Sequence, residues 1–514
     1  MNSAPVLIAG AGPTGLVLAL WLTRLGVRVR IIDKAAEPGT TSRAIGVQAR
    51  TLELYRQMEL AGHVVDAGVK VAGGNMWLHG RRAARIPLAR FGEGMSPYPY
   101  VLMYPQDEHE RFLIAQLRAL GVVVERPVEL LRFDEPANGG VRAVVKRQDG
   151  TEETVLASYL AGCDGAHSVV RERLGIDFPG GTYERLFYVA DVEATGPMTD
   201  GELHIGLERS DLLAVFPMRG SGHVRLIGTV NAPVGSAREP HDFGDVSEEI
   251  IHRLDLTIAR VNWFSTYRVH HRVAGSFRRG RAFLAGDAAH IHSPVGAQGM
   301  NTGIGDAINL AWKIAAVVKG DASEQLLDSY EPERIAFARR LVATTDRVFT
   351  IANRGGAIAS FVRTRALPVL LPAMFRLNSF RRYFFRTISQ LIVAYPHSEL
   401  SAGRAGGVRG GDRLPWVRLG GDADNFAPLA SSSWQAHVYG EPASAVREEC
   451  ILQRVPLHAF AWTAAAERAG IARDALYLVR PDGYVALAAR ANDAAGQLRH
   501  YFEDRRWLSR GEPA

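Results

Sequence analysis

Short apolar runs, rather than long ones, organise this chain. Val6 to Ala9 is one; glycines follow, Leu16 to Leu25 carries an apolar helical face, and Val27 to Ile32 is the second strand-like run. Brief continuous runs flanking a helical period predict buried parallel strands joined by a helix. The pattern returns at 159–174, YLAGCDGAHSVVRERL, and RAFLAGD at 281–287 delivers a further run into Gly286-Asp287. From 176 to 276 the chain turns β-like: LFYVADVEA, ELHIGLE, LLAVFPM and HVRLIGTV alternate or run apolar between Gly, Pro and Asp. GMNTGIGDAINLAW, from 299, predicts a helix able to bury Ile304, Ile308, Leu310, Ala311 and Trp312. Residues 335–395 read helical, with aromatic and basic residues mixed in FRLNSFRRYFFRTI. From about 397 a Gly/Arg-rich boundary, AGRAGGVRGGDRLP, leads into a short α/β pattern ending in LYLVRPDGYVALAAR.

Composition narrows the classes. A chain of 514 residues is too long for one core and implies roughly three domains. With 47% hydrophobic and 22% charged residues it reads as an ordinary globular protein, and its net charge of +6 is scattered, so no nucleic-acid stripe is expected. Two cysteines, Cys163 and Cys450, exclude a disulfide scaffold or a Cys-rich metal site and fit a reducing cytoplasm. An apolar strand starting almost at Met1 leaves no room for a signal peptide, and Ala366 to Met374 is too short to span a bilayer, so no membrane insertion is expected.

The first turn carries the clearest chemistry. Gly10, Gly12 and Gly15 form G-x-G-x-x-G around Pro13 and Thr14. The first glycine permits the tight turn, the second lets backbone approach a pyrophosphate, and the third allows close helix–strand packing. The helix N-terminus offers free N–H groups to phosphate, and Asp33, with Lys34 beside it, is placed to accept from an adenosine ribose. The spacing alone is weak; strand before, helix after and acid at the next strand's end make it strong. It does not separate NAD from FAD.

With GAGPTG, CDGAHSVVR (the form D-G-x-x-S-x-x-R) and AGDAAH-x-x-x-P-x-G-x-Q-G-x-N in this order, the chain resembles the FAD-dependent class A aromatic hydroxylases. QDEHERFL, SRAIGVQARTLE and LLDSYEPER also have the family's form. The resemblance implies an α/β fold: a Rossmann-like FAD-binding domain of the p-hydroxybenzoate hydroxylase type, a β-sheet substrate domain and a C-terminal thioredoxin-like domain. The implied boundaries are 1–175 with 277–395, including a helical cover at 335–395, then 176–276, then 396–514. It further implies that Arg43 contacts FAD, that Gln106 and Glu110 lie near the ribityl chain, and that Asp287 holds the ribityl or pyrophosphate end, beside Gly286. Asp164 and Arg171 fall where the family binds pyrophosphate and NAD(P)H. Pro294, Gly296 and Gly299 become flavin-wall candidates, with Gly303 also expected close to the ring. Backbone amides around Met300 and Asn301 are expected to face the isoalloxazine, stabilising charge at N1/O2 of the reduced ring.

The implied reaction is hydroxylation of a phenolic, polycyclic, polyketide-like aromatic through a C4a-hydroperoxyflavin, with NADPH or NADH as donor and O2 as co-substrate. The cofactor does the difficult chemistry, so no catalytic side chain is named. An antibiotic-modifying monooxygenase and a flavin reductase or saturase are the alternatives on this fold. Phe216, Pro217 and Met218 are the pocket candidates, against the reading that Phe216 and Met218 are plain sheet core. The helical region at 335–395 is either a membrane-surface helix or a cover over the substrate opening with its arginines in solvent; the cover is the expectation. The tail carries R-P-D-G-Y-V (Arg480 to Val485) but no C-x-x-C, which leaves it packing or homodimerisation. His290 and His292 share a strand face without an obvious third ligand, so no metal is expected, and His290 is assigned to a structural turn. His270 and His271 are the other histidines weighed for phenol deprotonation.

Overall fold

The computed structural model describes residues 4–39, 44–137, 139–207, 212–230, 242–245, 248–293, 296–353 and 365–508. β1 (Val6–Ala9), α1 (Pro13–Arg24) and β2 (Val29–Ile32) form the first parallel unit. Val6, Leu7 and Ile8 have no solvent exposure, which explains why the strand is apolar throughout rather than alternating. After α2 (Ala49–Arg56), β3 (Gly73–Leu78) and α3 (Gln106–Ala119), the chain returns beside β1 as β4 (Tyr159–Gly162), followed by α4 (Val169–Arg173).

Four long-range strands come next: β5 (Gly180–Thr195), β6 (Leu203–Leu207), β7 (Leu212–Pro217) and β8 (His223–Thr229). β9 (Thr257–Val273) pairs antiparallel along β5, and β10 (Ala282–Leu284) then joins β4. The first sheet therefore runs β10-β4-β1-β2, all parallel, with an antiparallel edge at Arg278–Arg279. Phe283, fully buried in β10, illustrates the stakes: truncating such a side chain costs ~3–5 kcal/mol.

The second sheet has eight strands, including β9-β5-β8-β7-β6-β3 in that order. Here the implied boundary at 176 needs correcting. β3 runs parallel to β6 with Leu203 opposite Gly74, and Arg81–Pro87 pairs on beyond it, so residues 73–87 belong to the second sheet. β6 would otherwise be a bare edge, and the earlier hairpin covers it. One face packs Tyr188, Val192, Leu213, Val215 and Leu226 on Ile251 and Leu254; the other faces the first domain.

α5 (Gly299–Val318) lies on α1, with Ile304, Ile308, Leu310, Ala311 and Trp312 all buried. α6 (Tyr330–Asn353), α7 (Leu367–Arg376) and α8 (Asn378–Ile388) follow. The tail then builds β11 (Gln435–Tyr439), α9 (Ser444–Leu452), β12 (Leu457–Phe460), the hairpin β13 (Leu476–Val479)–β14 (Val485–Ala489), and α10 (Ala494–Asp504). Its six-stranded sheet includes β12-β11-β13-β14 in that order, with β11 and β12 parallel, β11–β13 and β13–β14 antiparallel, and residues 402–405 parallel to β14 on the far side. Among the described residues no helix is long and apolar enough to cross a membrane.

The tail is bolted to the first domain through the far half of α5. Arg480 donates to Glu333 at 2.6 and 3.0 Å and to Asp482 at 2.6 Å. Lys313 and Asn309, one turn apart on α5, reach Glu333 at 2.8 and 2.7 Å, and the Trp312 indole donates to Asp482 at 3.1 Å. All of these side chains are buried. Burial works to raise the Glu333 carboxyl, but Arg480 and Lys313 outweigh it and hold it well below the usual range; burial lowers Lys313 to about 8.

Candidate functional site

The three glycines of the first turn differ in what surrounds them. A Cβ on Gly10 (φ +101°) would sit 2.2 Å from the Cys163 carbonyl oxygen, and one on Gly15 2.0 Å from the Gly10 carbonyl oxygen. At Gly12 an added Cβ would meet nothing within 4 Å. So Gly10 and Gly15 are packing glycines, whereas Gly12 opens onto space. Gly12 is also the N-cap of α1, where Pro13 fits the first helical position and no side chain caps the free amides. Open space against uncapped N–H groups and a positive dipole end fits a pyrophosphate.

Asp33, at the end of β2, accepts from the Ala11 amide at 2.7 Å and the Ala35 amide at 2.8 Å, and pairs with Arg126 at 3.2 Å. It thereby pins the glycine turn; a carboxylate with about four acceptor sites keeps one for a ribose hydroxyl. Lys34 beside it is exposed. On α3, Gln106 donates to Glu110 at 2.8 Å. Burial raises the Glu110 carboxyl, which also feels Arg126 and Asp33 and accepts from Gly39, so this pair stands at the Asp33 end of the groove.

Asp164 accepts from the Ser168 hydroxyl at 2.6 Å and the Val170 amide at 3.2 Å, while Ser168 caps α4 by accepting from the Arg171 amide. The Asp164 carboxyl is raised by burial. Arg171 departs from the expectation of an anion-binding side chain. Its guanidinium donates to the carbonyls of Ala288 (2.9 Å) and Ala166 (2.8 Å), lies 3.9 Å from the Phe178 ring, and leaves the residue 6% exposed. The motif's arginine thus braces two loops of the cleft. Asp287 is exposed between buried Gly286 and Ala288, on the single turn that follows β10.

The start of α5 closes this cleft. Gly296 takes φ +77°, a left-handed turn suited to glycine. Gly303 instead packs inward: its Cβ would lie 2.3 Å from the Thr14 hydroxyl and 3.1 Å from the Gly286 Cα. That corrects the expectation that Gly303 is glycine for the ring's sake; it is glycine so that α5 can meet α1. The Asn301 side chain is buried, donating to Gly46 (2.9 Å) and Ala297 (2.8 Å) and accepting from the Gln48 amide (2.9 Å) and Thr51 (2.7 Å). Its amide group anchors the helix start to α2, leaving the backbone N–H groups of 299–301 as the groups available to a ligand. Met300 is half-buried beside it. Arg43 and Pro294 lie outside the described residues.

His290 bonds Asp306 at 2.6 Å, and Asp306 also accepts from the Gly286 amide at 3.0 Å and from Arg334 at 2.6 Å. Burial would raise Asp306, yet Arg334 and His290 hold it low. His292 donates through Nδ1 to the Ser293 carbonyl at 2.8 Å, and burial lowers it to about 4. His270 shares a 2.7 Å hydrogen bond with Thr182, and the His271 ring lies 4.8 Å from that of Tyr183. No three metal-ligating side chains cluster among the described residues.

Facing this cleft from the second sheet, Phe216 and Met218 pack with Phe91, Met95, Phe375 and Phe385, under α7 and α8. They are therefore apart from the sheet core, which uses Leu213 and Val215 on the opposite face. Pro217, buried and in register with Val224, stands on that core face, so the pocket expectation fails for it by strand alternation.

Residues 3–345 match the family described as the FAD binding domain. The chain belongs to that family. It is a flavin-dependent monooxygenase with FAD as its cofactor: the chain is 38% identical to 6-methylpretetramide 4-monooxygenase of Streptomyces rimosus, over 79% of this chain and 72% of that one. It is 32% identical to a flavin-dependent monooxygenase of Mycobacteroides abscessus, over 93% and 96% of the two chains. Aklavinone-11 hydroxylase, solved with FAD and aklavinone, superposes with a TM-score of 0.76 at 26% identity, covering 98% of this chain and 100% of the other.

Two groups of the monooxygenase were missed in sequence. Asp306 and Lys313 are the only charged residues in the twenty of α5, a signal that both need partners. Arg225 is fully buried on the cleft side of the second sheet, held by Asp191 at 2.6 and 2.7 Å and donating to the Ala44 carbonyl at 2.9 Å. A lone arginine in HVRLIGTV offered only a weak hint of this.

Proposed function

We propose that this monooxygenase hydroxylates a phenolic, polycyclic aromatic small molecule of the polyketide kind, consuming NADPH or NADH and O2. The observation carrying this is the apolar face that half-buried Phe216 and Met218 present beside the start of α5, backed by the buried aromatic cluster of Phe91, Phe375 and Phe385. Such a face suits a broad, flat, water-poor ligand. FAD, when bound, accepts a hydride and activates oxygen. Gly12 with the α1 N-terminus would hold its pyrophosphate, Asp33 its ribose, Asp287 its sugar chain, and the amides of Gly299, Met300 and Asn301 its ring. The chain's own work is to orient the two reactants, exclude water from the cleft and keep His292 neutral at working pH. Domain limits of 1–175 with 277–395, 176–276 and 396–514 belong to the same reading, with 73–87 transferred to the sheet. The β12-β11-β13-β14 order with α9 and α10 supports a thioredoxin-like tail. Buried free thiols at Cys163 and Cys450 support a reducing cytoplasm.

The test is direct. The purified protein should be yellow with FAD, and NADPH oxidation should rise with a phenol, anthraquinone or angucycline from a panel, the product gaining one oxygen. A colourless protein that cannot be reconstituted with FAD overturns the reading. Product formed without proportional O2 consumption assigns the reductase or saturase alternative instead.

A further inference from the structure

α7 and α8 cover the aromatic cleft with their inner faces, where Phe375, Phe384 and Phe385 pack on Phe91. Their outer faces are unlike those of an ordinary surface helix. On α7 and the residue after it, Val369 is 69% exposed, Leu370 57%, Met374 41% and Leu377 60%. At 100° per residue these four fall within one arc of the helix, so they form a patch rather than scattered exposures. The adjoining α8 turns Arg382, Tyr383 and Arg386 outward, and Arg376 stands exposed at the end of α7. None of these three arginines has an acidic partner among the described residues. The bias extends along the chain: between Asp346 and Glu399 there are eight arginines and no acid.

We propose that this outer face docks the monooxygenase on an anionic membrane surface, lying on it without crossing it. An aliphatic strip beside unpaired arginines, with a tyrosine at their level, is the chemistry that seats a helix at the headgroup boundary. Apolar side chains enter the acyl edge while the arginines meet lipid phosphate. A protein partner would have to bury the strip and supply acids in one rigid pattern. A lipid surface needs only negative charge and fluid hydrocarbon, which exposed arginines spread over two helices suit better. The same two helices roof the aromatic cleft, so docking would set its opening against the phase into which a polycyclic aromatic partitions.

The full-length holoenzyme, without substrate, is sedimented with phosphatidylglycerol or phosphatidylcholine vesicles. Strong co-sedimentation with the first, little with the second, and loss in high salt are expected. Leu370→Asp with Met374→Asp, and separately Arg382→Glu with Arg386→Glu, should each reduce the bound fraction at least fivefold, with FAD content unchanged. As a second readout, Leu377→Cys is labelled with a polarity-sensitive fluorophore, Cys163 and Cys450 being buried. Its emission should shift blue on phosphatidylglycerol vesicles. Failure to bind them, or equal binding by the charge-reversed protein, overturns the proposal. A vesicle-independent dimer that buries the Leu377 label also overturns it and assigns the face to a second copy. Because no turnover is measured, each of these three failures leaves the assigned chemistry standing.

Discussion

The two ends of α5 are built on opposite plans. Its start has glycines, an asparagine and backbone amides, with His292 Nε2 and Ser293 Oγ buried nearby and lacking partners among the described residues. Its second half is saturated: Asn309, Trp312 and Lys313 all meet Glu333 or Asp482. Unmet polar capacity at one end and dense pairing at the other separate the end we propose to meet the cofactor from the end that holds the tail. One helix can do both because the tail fixes its far end, letting the near end stay spare without collapsing.

If that division is right, damage at the saturated end should appear in stability first. Arg480→Ala leaves Glu333 to Lys313 and Asn309, and Asp482 without its ion-pair partner in the interior, and should cost ~3–5 kcal/mol in urea unfolding. A loss under 1 kcal/mol would mean the junction is not where the tail is held. Nearer the start, where α5 packs on α1 rather than facing the cleft, Gly303→Ala should cost ~1–3 kcal/mol through overpacking on Thr14, partly recovered by Thr14→Ala in the same chain. The junction should also set the acid limb. Glu333 has a folded pKa below its unfolded one, so its stabilisation is complete above the ordinary glutamate range and is lost as pH falls through and below it. Stability should drop by up to ~1.4 kcal/mol per pH unit for this proton, and Glu333→Gln should flatten that limb.

In the cleft, where the α1 N-terminus and the start of α5 lie, binding should suffer before stability. Gly12→Ala should leave unfolding within ~0.5 kcal/mol, because its Cβ meets nothing, yet weaken FAD roughly tenfold by titration of the apoprotein. Gly299→Ala, whose nearest contact is the His292 ring at 3.7 Å, should have the smallest effect on stability, within ~0.5 kcal/mol. A large stability loss at either position would erase the contrast between the ends.

Much of this was legible in the chain because it depends on local pattern: the G-x-G-x-x-G turn, the Ser168 cap of α4, and the buried face of α5. LLDSYEPER and RPDGYV were each visible as motifs, yet nothing in either told that Glu333 meets Arg480 across 147 residues. Arg171 shows a second limit. Its position was foreseen, but whether a guanidinium faces a ligand or curls onto carbonyls is decided by neighbours such as Phe178. Pro217 was misread because membership of a strand was inferred without fixing which face each residue takes.

The hairpin at residues 73–87 has a bearing on engineering. Because β3 is laid down long before β6 exists to receive it, the second sheet is not a cassette that can be lifted out between 176 and 276. A chimaera exchanging only that interval would import a sheet whose outer edge expects a hairpin from the host. Recombination with a relative is therefore safer at two windows at once, 73–87 together with 176–276.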